Sequence, residues 1–144
     1  VYDQDELAGL VYNVHYKDII YISYLAVDDT KRGSGYGSRI LQTIQKKYSD
    51  SRIFLCIEEM DPNAENYEQR VRRKAFYESN GFKMLPFQVK EGIVMYDAMC
   101  VADREPEITR KECDELMKHY FGMWTFVIYV KKYTDKIVGL FEKK

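Results

Sequence analysis

Leu10, Tyr12, Val14 and Tyr16 alternate with Val11, Asn13, His15 and Lys17, the two-residue period of a strand whose faces differ. Lys17-Asp18 predicts a turn. Ile19 to Val27 is so rich in Ile, Tyr and Val that it reads as a central strand covered on both faces. The period then changes, because Ile40, Leu41 and Ile44 recur at helical spacing and predict a helix from about Gly35 to Tyr48. Arg52 to Ile57 returns to strand, parallel to the previous one by the right-handed crossover rule. An acidic, proline-marked exit follows from Glu58 to Asn63, then a helix from about Ala64 to Asn80. Phe82 to Val89 and Ile93 to Val101 predict an antiparallel hairpin about Lys90-Glu91-Gly92. Upstream, Val1-Tyr2, the polar Asp3 to Glu6 and then Leu7 to Tyr16 read as a strand end, a turn and its hairpin partner.

A polar linker runs from Ala102 to Glu107. Thr109-Arg110-Lys111-Glu112 then fits a capping box, with Leu116 and Tyr120 on the buried side of the helix it opens. Met123 to Tyr133 and Ile137 to Phe141 read as two further strands. These divide the chain into a core, 1–101, and an extension, 102–144. The extension is expected to pack on the core, to cover an open sheet edge, or to pair with a second subunit in a homodimer.

Between the strand ending at Val27 and the helix beginning near Gly35 lies Lys31-Arg32-Gly33-Ser34-Gly35-Tyr36-Gly37-Ser38. Amides at a helix N-terminus lack intrahelical partners and carry the positive end of the dipole, so a loop stripped of side chains there suits a phosphate. A dinucleotide loop needs glycine at its first, third and sixth positions, and counting from Gly33 the sixth is Ser38. A Walker loop needs Gly-Lys-Ser or Gly-Lys-Thr, whereas Gly37 is followed by Ser38 and Arg39. What remains is a flexible turn or an anion cradle of another kind.

A second motif favours the cradle. Lys74-Ala75-Phe76-Tyr77-Glu78-Ser79-Asn80-Gly81-Phe82 reads as the last turn of a helix, with Asn80 or Gly81 as left-handed cap, leading into a strand. Arg32-x-x-Gly35-x-Gly37, followed in order by helix, strand, helix and this Phe-Tyr to Gly-Phe ending, resembles the GCN5-related N-acetyltransferase (GNAT) family over residues 7–100. The resemblance implies an α/β (α+β) fold with a mixed, mostly antiparallel central sheet flanked by helices. It also implies an acetyl-coenzyme A dependent N-acetyltransferase acting on a primary amine in a ternary complex. The alternative is a non-catalytic acyl-coenzyme A binding module. Family members carry a first strand and one or two helices before the hairpin, so the chain is expected to begin inside the fold.

By the same resemblance, Lys31, Arg32, Gly33, Ser34, Gly35, Tyr36, Gly37 and Ser38 would hold the pyrophosphate of acetyl-coenzyme A. The backbone of Leu25, Ala26 and Val27 would pair with the pantetheine arm. Tyr77 would be the acid, since a phenol with a reference pKa of about 10 is protonated at neutral pH and can donate to a departing thiolate. Glu58 and Glu59 leave the strand beside the cradle on opposite faces and are the candidate bases. His15 stands on the polar face of a hairpin as a lesser candidate. The cluster Arg70, Arg72, Arg73 and Lys74 is expected either on a solvated helix face or near the adenosine 3′-phosphate.

Charge and cysteine content limit the partners. With 22 Lys and Arg against 23 Asp and Glu, the chain has no basic excess to drive nucleic-acid binding. Cys56, Cys100 and Cys113 show neither CxxC nor zinc spacing, so neither a disulfide framework nor a metal site is expected, and a cytoplasmic location is. The apolar run from Phe121 to Val130 is too short to cross a bilayer, so no membrane partner is expected.

Overall fold

A computed structural model describes residues 2–3, 6–91 and 93–122. Short strands β1 (Tyr2–Asp3) and β2 (Glu6–Leu7) pair with each other, while the main sheet holds β3 (Gly9–Tyr16), β4 (Ile19–Val27), β5 (Arg52–Glu58), β6 (Phe82–Glu91) and β7 (Val94–Val101). Its order is β3-β4-β5-β7-β6. Among the described strands only β4 and β5 run parallel, and every other neighbouring pair is antiparallel. The mixed sheet carries helices on both faces, as the resemblance implies. Lys17 takes the turn at φ 54°. The expected strands of the tail lie outside the described residues.

Helix α1 (Tyr36–Lys47) is amphipathic and buries Ile40, Leu41 and Ile44 against Ile20, Ile22, Ile53, Leu55 and Ile57 of the sheet. Helix α2 (Tyr67–Ser79) lies on the same face, but none of its residues is fully buried. Phe76 and Tyr77 are its contact with that core. It starts at Tyr67 rather than Ala64, because Asp61 holds the chain in turns by accepting from the Asn63 amide at 2.9 Å. Gly81 takes the left-handed conformation after α2, at φ 86°, and Gln45 Nε2 of α1 donates to the Asn80 carbonyl at 2.9 Å. The two helices are tied at the cap.

A third helix, α3 (110–122), covers the opposite face. Cys113, Leu116, Met117 and Tyr120 pack there with Val14, Tyr21, Phe54 and Ala98. The predicted capping box forms: the Thr109 amide donates to Glu112 Oε2 at 2.9 Å, and the Glu112 amide to Thr109 Oγ1 at 3.3 Å. Pro86 falls where the β6–β7 register shifts, between Met84 and Gln88, on the outermost strand. Proline has no donor for a ladder, so an edge irregularity suits it.

The expectation that β4 is covered on both faces holds only for Ile19 to Ile22, all buried; Tyr24 is 55% exposed. Two irregularities explain the difference. Pairing of β4 with β5 ends at Ile22 opposite Leu55, although both strands continue. Ser23 is skipped in the β3 register, where Tyr12 faces Tyr24 and Asn13 faces Ile22. This bulge reverses the alternation, so that Ile20 and Ile22 before it share a face with Leu25 and Val27 after it.

Candidate active site

Beyond Ile22, the edge of β4 that faced β5 has no strand partner among the described residues, and the two strands part as a wedge. At the end of β4, Asp28 accepts from the Thr30 amide at 2.9 Å and from the Thr30 hydroxyl, starting a short 3₁₀ turn, Asp29–Lys31. The glycine loop follows and delivers the chain to α1. The result is a cavity of about 640 Å³ lined by Tyr24 to Val27, the loop, and three residues of α2: Arg73, Phe76 and Tyr77.

The loop glycines serve different purposes. Gly35 sits at the N-cap of α1 with φ 78°, a conformation that side chains with a Cβ rarely adopt, and no side chain caps the helix. A glycine at the cap brings no side-chain acceptor of its own to the helix N-terminus, where an anion is favoured. Gly37 has no such backbone demand. A Cβ there would lie 2.9 Å from Phe76 Cζ, so the bare α1 backbone is what lets α2 approach. The second motif's Phe76 thus rests on the first motif's Gly37. Gly37→Ala is expected to destabilise the fold by about 1 kcal/mol through overpacking, read by urea unfolding; an unchanged midpoint would mean that Phe76 yields freely.

Of the residues expected in a coenzyme cradle, Leu25, Ala26, Val27, Lys31, Arg32, Gly33, Gly35, Tyr36, Gly37 and Ser38 line this cavity, and Ser34 does not. Arg32 pairs with Asp29 at 2.7 Å on the exposed rim. Within the basic cluster only Arg73 lines the cavity. Arg70 is held by Asn66 Oδ1 and the Glu59 carbonyl, both at 2.7 Å, Arg72 lies 3.8 Å from Glu68, and Lys74 pairs with Glu78. Sequence order alone could not pick out Arg73, because helical phase within a basic run has no apolar marker.

Tyr77 is half-buried, with its ring edge-on to Phe76 and Phe82. Burial raises its phenol above the ordinary tyrosine value, against a smaller lowering effect of Arg73, so the hydroxyl stays protonated at physiological pH. Neither expected base lines the cavity. Glu58 accepts from Arg73 at 2.6 Å and from Asn66 at 3.2 Å, which occupies both oxygens. Glu59 is exposed and accepts from Gln88 at 3.1 Å. His15 stands edge-on to Tyr48, outside the cavity lining. Among the described residues there is no metal-binding group, and no helix is long and apolar enough to cross a membrane.

A mixed sheet parted between its two parallel strands, with a glycine loop leading into the helix at the parting, defines an α/β protein with a cleft at that parting. The family model for the acetyltransferase (GNAT) domain matches residues 1–84, and the chain belongs to that family of acyltransferases. No curated protein matches the sequence. Among solved structures, a GNAT-family acetyltransferase from Bacteroides thetaiotaomicron superposes with a TM-score of 0.61 at 22% identity, over 83% of this chain and 66% of that one. An aminoglycoside 6′-N-acetyltransferase complexed with coenzyme A gives 0.55 at 20% identity, over 74% and 73% of the two chains. A Bacillus subtilis acetyltransferase in complex with coenzyme A gives 0.51 at 14% identity, over 69% and 72%. The shared property at these identities is the fold.

Proposed function

We propose that the protein is an N-acetyltransferase that transfers the acetyl group of acetyl-coenzyme A to a primary amine by direct attack in a ternary complex. The observation that carries this reading is the union, in one cavity, of the β4 edge beyond its last pairing with β5, the glycine loop at the N-terminus of α1 and Tyr77 with its protonated phenol. The pyrophosphate would meet the loop amides with Lys31 and Arg32 at the rim. The pantetheine arm would satisfy the backbone of Leu25 to Val27 as an added strand would. The thioester carbonyl would then be polarised by a backbone donor, which costs no reorganisation during reaction. Tyr77 would protonate the leaving thiolate. The three free cysteines fit a reducing compartment, so a cytoplasmic location goes with this reading.

Calorimetric titration with acetyl-coenzyme A tests the cradle. Binding is expected with acetyl-coenzyme A, and about tenfold weaker with coenzyme A lacking its 3′-phosphate, the loss of one charge-assisted contact. Equal affinities would remove the 3′-phosphate from the basic rim. Absence of binding to either would overturn the reading as a whole.

A further inference from the structure

On the α3 face of the sheet, Cys56 is the first β5 residue past the last pairing with β4, at the mouth of the wedge. Tyr21 of β4 lies beside it, its ring stacked on Phe54 at 4.8 Å and edge-on to Tyr120. The Tyr21 hydroxyl donates to Glu91 Oε2 at 3.4 Å. Glu91 belongs to the end of β6, two strands away from β5 in the sheet, so the β6–β7 hairpin brings a carboxylate across to the place where β4 and β5 part. The titratable groups in electrostatic reach of this cluster are Tyr21 of β4, Cys56 and Glu58 of β5, Tyr96 of β7, and Tyr120 and Cys113 of α3. Among the described residues none of them is a cation.

The contrast with the other carboxylates at the wedge is chemical. Both oxygens of Glu58 are engaged, one by Arg73 at 2.6 Å and the other by Asn66 at 3.2 Å. Glu59 is exposed and hydrogen-bonded to Gln88. Glu91 is half-buried and has a phenol as its donor, which orients the carboxylate without adding a positive charge.

Resting on the acetyltransferase reading above, we infer that Glu91 is the catalytic base that takes the proton from the acceptor amine, with Tyr21 as its positioning residue, the amine entering across the α3 face. The nitrogen of the neutral amine bonds to the thioester carbon as one N–H proton passes to Glu91. The carbon–sulfur bond breaks, and the thiolate takes the phenol proton of Tyr77. The proton on Glu91 returns to the Tyr77 phenolate through solvent, so amine and thioester become amide and thiol with no net proton change. Burial raises Glu91 above the ordinary carboxylate range, and the Tyr21 bond opposes that rise. A carboxylate so placed is a stronger base than an exposed one.

The test uses acetyl-coenzyme A with spermidine, tyramine and a lysine-containing peptide as acceptor probes, following whichever turns over fastest. Glu91→Gln is expected to lower kcat/KM about 100-fold, to leave acetyl-coenzyme A affinity unchanged, and to flatten the acidic limb of the pH profile. Tyr21→Phe keeps the ring packing but removes a donor to the ionised carboxylate. It should move the acidic limb to higher pH, a shift that a purely structural role would not produce. A Glu91→Gln variant within threefold of the parent, or a Tyr21→Phe limb that stays in place, overturns the assignment while leaving the acetyltransferase reading intact. A parent protein that binds acetyl-coenzyme A and acetylates none of the probes overturns both.

Discussion

Tyr77→Phe is expected to lower kcat about 100-fold while leaving the affinity for acetyl-coenzyme A within twofold, the ordinary scale for losing a general acid with ground-state binding preserved. The hydroxyl is the sole group removed, and the ring that meets Phe76 and Phe82 remains. Because burial raises the phenol's pKa, the parent enzyme should retain its protonated acid across the neutral range and lose it only in alkali. The basic limb of the kcat profile should therefore lie above the usual tyrosine range and disappear in the variant. Steady-state kinetics from pH 6 to about 11 check both expectations. A variant with undiminished kcat would mean that solvent protonates the thiolate and that Tyr77 is a packing residue.

Arg52→Ala is expected to destabilise the fold by about 2 kcal/mol, because it removes a buried cation from between two partly exposed carboxylates that solvent can still reach. Arg52 has a side chain 9% exposed at the start of β5. It donates to both oxygens of Asp18, at 2.7 and 2.9 Å, and to both oxygens of Glu112, at 2.7 and 3.2 Å. One guanidinium therefore ties the β3–β4 turn, the head of β5 and the capping box of α3. The Tm should fall by about 6 °C for a domain of this size. Scanning calorimetry would decide it, and a fall of under about 2 °C would show that solvent replaces the cluster.

The same cluster sets an acid limit. Hydrogen bonds from Arg52 lower the Glu112 carboxyl to about 2, from a reference value of 4.5, and Asp18 is lowered for the same leading reason. Groups with depressed folded-state values bind fewer protons folded than unfolded. Their stabilisation is complete above pH 4.5 and drains away as pH falls toward 2. Urea midpoints between those limits should fall with pH in the parent protein and more shallowly in Arg52→Ala.

Most of the fold was legible because its elements carry strong local signals. The predicted Ile19–Val27 strand, the α1 helix and the β4 to β5 crossover correspond to the structure because β-branched runs and helical spacing of Ile40, Leu41 and Ile44 leave few alternatives. The capping box was readable because Thr109 and Glu112 interact within one turn. The start of α2 was misplaced by three residues, since Asp61 turns the chain with a side-chain bond that helix propensity does not encode.

What the sequence by itself determined is the order of elements, the cradle loop and the Phe-Tyr motif, all properties of neighbouring residues. The tertiary structure decided which groups meet. Ser23 bulges and β4 leaves β5 after Ile22, so a strand that looks uniformly apolar has a closed half and an open half. Gly37 is required by Phe76, a residue of another helix, and not by its own backbone. Arg73 rather than its basic neighbours reaches the cavity, and it occupies Glu58 on the way. The hydrogen bond from Tyr21 to Glu91 joins residues seventy positions apart, which no local spacing announces. Local spacing fixes backbone periodicity, whereas charge pairing and burial depend on distances through space that no one-dimensional pattern contains.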